Sequence, residues 1–213
     1  MGNYQFIDDL FLLKYPNGLN DQAFIDLSKK HKSSYKILEI VKNEIDLESF
    51  VLEDTYHINK NISLIIKIVT RSSMISVFEK VAFKHYLEDS KIHSIFLNAL
   101  YHMLKDFNED TMNEFVYVLN MRKVEINRKV ATWPLITFFL IYFDEYNEVF
   151  IKPTTIKRLA KLLECDIKYE SMPNYMTYQN VKKMVLEYKK QSKLVKNENN
   201  LNVQAIMYCA LEI

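Results

Sequence analysis

The sequence predicts an all-α protein: one multi-helix, bundle-like domain of about ten helices with little or no sheet. Three observations carry this. Glycine occurs only twice in 213 residues, as Gly2 and Gly18, where average usage gives about fifteen. Primed hairpin turns and bulges draw on glycine for positive φ, so a chain this poor in it is not built from hairpins. Apolar residues recur at spacings of three and four along almost the whole chain, the period of a helix buried on one side. The chain is 49% hydrophobic and 26% charged, a globular balance, and at this length it can bury roughly 70% of its unfolded surface. No internal repeat or low-complexity linker interrupts it, so residues 1–213 are expected to form one domain.

Taken in order, Phe6, Leu10 and Leu13 open the pattern, and Tyr15-Pro16-Asn17-Gly18 stops it with a turn signal. Asp21 reads as the N-cap of a helix carrying Ala23, Phe24 and Leu27 and running on through Tyr35, Leu38 and Val41. A weaker helix is expected over 47–57 and another over 62–69. Ser76-Val77-Phe78-Glu79 fits a capping box opening a helix to about Leu87. The next begins at Ser90 or Lys91, with Ile92, Ile95, Phe96, Ala99, Leu100 and Met103 as its buried stripe. Asp110 or Thr111 caps a helix carrying Phe115, Val118 and Leu119.

Thr132 precedes Trp133-Pro134, and proline is well tolerated at the start of a helix. Residues 135–143 are apolar all round and should form the central helix. Trp133, the only tryptophan, is expected to be buried with its indole N–H bonded to a carbonyl. Phe150-Ile151-Lys152-Pro153 should be extended, because proline pushes the preceding residue out of the helical region. Thr154 or Thr155 then caps a helix over 156–163. Residues 166–169 read as a short strand or extended loop, Pro173-Asn174 as a turn, and Thr177 as the cap of a long helix to about residue 193. A polar break over 196–200 leaves a final helix over 203–211.

Several function classes fall on composition and spacing. A chain with two glycines holds neither a phosphate-cradling loop nor a dinucleotide fingerprint. Cys165 and Cys209 form no CxxC pair and suit a reducing compartment. The opening residues show no basic and apolar signal segment, Phe6 stands where a myristoylation motif wants Ser or Thr, and the longest apolar run, 133–143, is about half the ~20 residues of a membrane span. A cytoplasmic protein without a membrane contact is expected. The five histidines, His31, His57, His85, His93 and His102, fall into no metal-ligand pattern beyond a single Asp54-x-x-His57, so no metal and no cofactor is expected. Asp106, Glu109, Asp110 and Glu114 straddle a helix start, where acids oppose the macrodipole without doing chemistry. No serine sits in a nucleophile elbow, and no catalytic residue is assigned.

Charge is the uneven feature. The whole chain is near neutral, at +1, yet residues 152–196 hold eleven Lys/Arg against four acids, while residues 1–151 hold seventeen against twenty-one. A basic C-terminal third attracts polyanions or an acidic partner, and Lys-rich helices also carry such charge merely as a solvated face. Within it, Lys152, Lys157, Arg158 and Lys161 are combined with Tyr169, Asn174, Tyr175 and Tyr178 over a short stretch. Cations beside exposed aromatics are what single-strand binding uses; tyrosines bonding across a helical core are the plainer alternative. The run over 156–163 resembles the first helix of a helix-turn-helix, but the next helix begins too far away for that motif.

Thr132-Trp133-Pro134-Leu135-Ile136-Thr137, Phe150-Ile151-Lys152-Pro153 and Tyr169-Glu170-Ser171-Met172-Pro173-Asn174-Tyr175-Met176-Thr177-Tyr178 together resemble a family of uncharacterised bacterial proteins. These carry a Trp-Pro-x-x-Thr block, a Leu-Lys-Pro block, a Tyr…Pro-Asn-x-x-Thr-Tyr block and a closing Asp-Val-Gln. Here the last reads Asn202-Val203-Gln204, with asparagine in the aspartate's place. The resemblance implies a bacterial or phage origin and a shared fold, and no reaction.

The expectation is a non-enzymatic helical interaction protein that docks a macromolecular partner, most simply a protein, through its C-terminal third. The alternative is a nucleic-acid-associated protein of a bacterial genome-defence or phage-related system, and an enzyme with an unfamiliar site is a third reading. The sharpest site expectation places Lys152, held extended by Pro153, beside Tyr169, Asn174 and Tyr178. That set of one cation, two phenols and an amide suits a phosphate or carboxylate.

Overall fold

The computed structural model describes residues 4–30, 33–121 and 129–211. Among them are eleven α-helices, three short 3-10 turns and no strand. The helices are α1 (Gln5–Lys14), α2 (Gln22–Lys30), α3 (Ser33–Glu44), α4 (Thr55–Arg71), α5 (Val77–Tyr86), α6 (His93–Lys105), α7 (Glu109–Asn120), α8 (Trp133–Phe143), α9 (Pro153–Leu162), α10 (Tyr175–Gln191) and α11 (Asn200–Leu211). The all-α expectation holds.

Helix α8 is the axis. It is buried on almost every side, from Trp133 through Tyr142, because its sequence offers water almost no polar atom. Thr132 caps it by accepting the amide of Leu135, and Pro134 sits in the first turn. Helices α3 and α6 pack against α8, and α7 packs against α6. Phe96 of α6 lies at the middle of this layer, with ring centroids 5.7 Å from both Phe83 and Phe115 and 6.4 Å from Phe139. Helix α11 packs on α1, α9 and α10, closing the C-terminal side.

The starts of the helices follow side-chain chemistry. Ser76 and Glu79 form the expected capping box on α5. At α7 and α10 the caps are Asn108 and Asn174, not Asp110, Thr111 or Thr177: each asparagine accepts the amide of a threonine three residues on. At α9 the first helical residue is Pro153 and the cap position is Lys152, not a threonine.

Other departures also have local causes. The helix expected from Asp21 to Val41 is two, α2 and α3, with residues 31 and 32, and so His31, outside the described residues. The segment 47–57 is a 3-10 turn, Leu47–Val51, followed by the start of α4, because Asp46 and Asp54 each accept a nearby amide and open separate elements. The stripe expected over 62–69 therefore belongs to α4. Along α1 the buried face is Tyr4, Ile7, Phe11 and Tyr15, while Leu13 is 77% exposed; two apolar stripes compete there, and packing on α11 selects one. Ile95, expected in the buried stripe of α6, likewise faces outward, and Leu97, not expected there, is buried. Residues 166–169 are irregular: Lys168 adopts φ 48°, and Thr177 Oγ1 donates to its carbonyl at 2.7 Å.

Candidate functional site

Lys152 is placed by a polar seam rather than by a helix. The backbone over 149–152 is extended, and its amides and carbonyls would be orphaned in a helical protein without dedicated partners. Three side chains supply them. Tyr178 Oη accepts the amide of Val149 at 3.1 Å and donates to Glu148 at 2.6 Å. Gln204 of α11 pairs with Phe150 in both directions, accepting its amide at 2.7 Å and donating to its carbonyl at 2.6 Å. Thr137 of α8 accepts the amide of Ile151 at 2.9 Å and donates to the carbonyl of Trp133 at 2.7 Å. Lys152 emerges from this seam at the start of α9, solvent-exposed, with Nζ 4.8 Å from the centre of the Tyr208 ring.

Beside it lies a cavity of about 340 Å³ between α2, α3, α9 and α11. Phe24, Leu27, Ile156, Leu159, Leu201 and Ala205 give it apolar walls. Residues 201, 205 and 208 are spaced to share one face of α11, and all three line the cavity, whereas Val203, Ile206 and Ala210 of the same helix are buried. Lys152, Tyr35, Asn202 and Gln204 provide polar groups, and Tyr35 donates to Asn202 at 3.2 Å. With Lys152 as the cation, the set is completed by two phenols and amides, the inventory expected from the sequence, but the phenols and amides come from α3 and α11.

The residues expected there lie elsewhere. Tyr178 is fully buried against Phe107 (4.9 Å) and Glu148, and burial together with the Glu148 carboxylate pushes its phenol well above the usual tyrosine range. Asn174 is occupied as the cap of α10 and donates to the carbonyl of Met172. Tyr175 packs on Phe107 at 5.6 Å. Tyr169 lies between the Trp133 indole, 6.4 Å away, and the Lys157 ammonium, 5.0 Å from its ring, with its phenol raised by burial. None of the four lines the cavity beside Lys152: the chain returns along α9 with Tyr169 against Lys157, not Lys152, and Asn174, Tyr175 and Tyr178 are taken up by the start of α10. Trp133 is buried as expected, its Nε1 donating to the carbonyl of Glu170 at 2.8 Å.

The charges of the basic third divide into two groups. Several are engaged within the chain: Arg158 donates to the carbonyl of Leu211 at 2.9 Å, Lys168 pairs with Asp166, Lys182 pairs with Glu148, and Lys189 donates to Asn200 and lies over Tyr146. Desolvation holds the Lys189 ammonium below the usual lysine range. Lys161 of α9 is exposed, and so are Lys183 and Lys190 of α10 and Lys193 and Lys196 in the turn beyond it.

Among the described residues no group of three or more His, Cys, Asp or Glu could hold a metal, and no helix is long and apolar enough to cross a membrane. The described histidines have local partners: His57 with Asp54, His85 with Glu88, His93 with the carbonyl of Leu87, and His102 with Glu114. Both cysteines are free thiols, Cys165 within 3.4 Å of Tyr4 Oη. The chain matches no protein-family model, no curated protein and no solved structure.

Sequence reasoning missed Tyr35 and Tyr208 as neighbours of Lys152. Tyr208 had no signal beyond its place on a nearly featureless apolar helix. Gln204 was not singled out either, and its amide is what binds Phe150, two residues before Lys152, to α11.

Proposed function

We propose that this protein is a non-enzymatic interaction protein that binds an acidic segment of a partner protein through its C-terminal third. The observation that carries this reading is the cluster of exposed ammonium groups at the end of α10 and just beyond it, Lys190, Lys193 and Lys196, with Lys183 two turns earlier on the same helix. Helix C-termini carry partial negative charge, which favours cations there. At physiological salt such charges act over about 8 Å, so the patch attracts a short acidic stretch locally although the whole chain is near neutral.

Two features favour a protein over a nucleic acid. The aromatics that would stack bases are withdrawn: Tyr178 is interior and Tyr169 and Tyr175 are packed on neighbouring rings. Residues 1–151 carry more acids than bases, so a long polyanion leaving the patch meets repulsion, whereas a short acidic segment does not.

The experiment is binding of a fluorescent oligoglutamate peptide, a single-stranded oligonucleotide and a duplex at two salt concentrations. The parent protein is expected to bind the peptide most tightly, and Lys190→Glu/Lys193→Glu should abolish that binding with an unchanged melting temperature. Absence of peptide binding at low salt overturns the proposal. Tighter duplex binding with a steep salt slope, falling by about one for each lysine removed, would establish the nucleic-acid reading in its place.

A further inference from the structure

The cavity between α2, α3, α9 and α11 is independent of the α10 patch, and its chemistry points to a different kind of ligand. At about 340 Å³ it lies at the small end of the roughly 300–1,000 Å³ range of small-molecule sites. Its walls are aliphatic and aromatic, including Phe24, Leu159, Leu201 and Ala205, and among the described residues the cation lining it is Lys152. Pro153 and the Gln204 and Thr137 hydrogen bonds fix the backbone on which that lysine stands, and its ammonium lies 4.8 Å from the centre of the Tyr208 ring, another residue lining the cavity. Tyr35 and Asn202 add a phenol and an amide already hydrogen-bonded to each other.

We infer that this cavity binds a small aliphatic carboxylate, its chain between α9 and α11 and its carboxylate on Lys152 Nζ. An apolar chain gains by leaving water in proportion to the surface it buries. A carboxylate meeting an ammonium makes a charge-assisted hydrogen bond, about twice as strong as a neutral one. Lys152 lies over the Tyr208 ring; that contact holds the ammonium near the cavity while leaving its N–H groups available, since a ring face accepts charge without replacing a carboxylate oxygen. A neutral alcohol of the same length keeps the first contribution and loses the second. An alkylamine would meet like charge.

Equilibrium dialysis of the full-length protein with radiolabelled octanoate, compared with octan-1-ol and octylamine, tests this. One saturable octanoate site is expected, with the alcohol at least about tenfold weaker, the ratio that corresponds to 1.4 kcal/mol, and no octylamine binding. Lys152→Met retains the stem and removes the charge; it should bring octanoate down to the level of the alcohol and leave the alcohol unchanged. Ala205→Trp, at an exposed position of α11 facing the cavity, should abolish both with an unchanged melting temperature. Lys190→Glu/Lys193→Glu should bind octanoate like the parent, which separates this site from the patch. Absence of saturable octanoate binding, or parental octanoate affinity in either Lys152→Met or Ala205→Trp, overturns the inference. So would binding of an acidic amphipathic peptide at this cavity in place of octanoate.

Discussion

Around α8 the fold is closed by rings, and around α10 and α11 it is closed by hydrogen bonds. In the first region Phe83, Phe96, Phe115 and Phe139 interlock at centroid distances of 5.7 to 6.4 Å, and few polar side chains enter. In the second, polar side chains do the joining. Buried Asp8 of α1 accepts from Tyr188 and Ser192, each at 2.8 Å, and from the amide of Lys193. Buried Asn200 donates to the carbonyls of Tyr146 and Glu148 and accepts from Lys189. Ring packing tolerates no gap, whereas directional bonds can hold elements apart. The polar-jointed side is accordingly where the cavity beside Lys152 is found.

Alkali tests both regions at once and should have the largest effect. Burial raises the phenols of Tyr86, Tyr178 and Tyr188 above the usual tyrosine range and that of Tyr142 to about 12. For a group whose folded pKa is raised, stability is fully present below the unfolded value near 10 and is lost as pH rises through the folded one. Tyr142 alone corresponds to about 3 kcal/mol lost between pH 10 and 12, against a total of roughly 5–15 kcal/mol for a typical protein. Circular dichroism should show cooperative loss of helix above about pH 11. Tyr142→Phe, which cannot ionise, should move the midpoint upward; an unmoved midpoint would show that this phenol does not drive the transition.

Next in size is Trp133→Ala, which empties a large buried site on α8 and leaves the Glu170 carbonyl unpaired. About 3–5 kcal/mol of stability should be lost in urea unfolding, and the parent's native fluorescence should be blue-shifted. Emission like that of free tryptophan would place the indole in water.

Tyr188→Phe removes one of three donors from buried Asp8 and should cost about 1–3 kcal/mol. If polar joints and ring packing were equivalent, a volume-conserving ring change of this kind would be nearly silent. The double variant with Ser192→Ala should be non-additive, because both act on one carboxylate; strict additivity would count against a shared joint.

Ser76→Ala, at the capping box of α5, should cost only about 1 kcal/mol, read from the shift in denaturation midpoint. A loss as large as that of Trp133→Ala would mean that the tie of Glu79 to Thr132 matters more than the cap.

Legibility followed the same division. The α8 region was readable because its signals are local: the Ser76 box, the proline after Trp133 and an unbroken apolar run each specify structure within a few residues. The polar-jointed side was readable in its elements but not in its meetings. Asn174 and Tyr178 were visible as polar residues near a turn, but a cap and a core hydroxyl look the same in sequence as a binding amide and a stacking phenol. Thr137, Tyr178 and Gln204, far apart in sequence, supply the hydrogen bonds that hold the segment over 149–151.

By itself, then, the sequence determined the helical class, through glycine scarcity and the three-and-four spacing, and the start of α5, through a capping box whose chemistry acts over three residues. It determined that Lys152 would stand on extended backbone, because proline constrains its neighbour locally. Which groups would surround that lysine was decided by tertiary structure alone. Tyr35 is more than a hundred residues before it and Tyr208 more than fifty after it, and only the packing of α9 and α11 beside α2 and α3 brings them to one cavity. Periodicity specifies which face of a helix turns inward, but not which of the other helices it will meet.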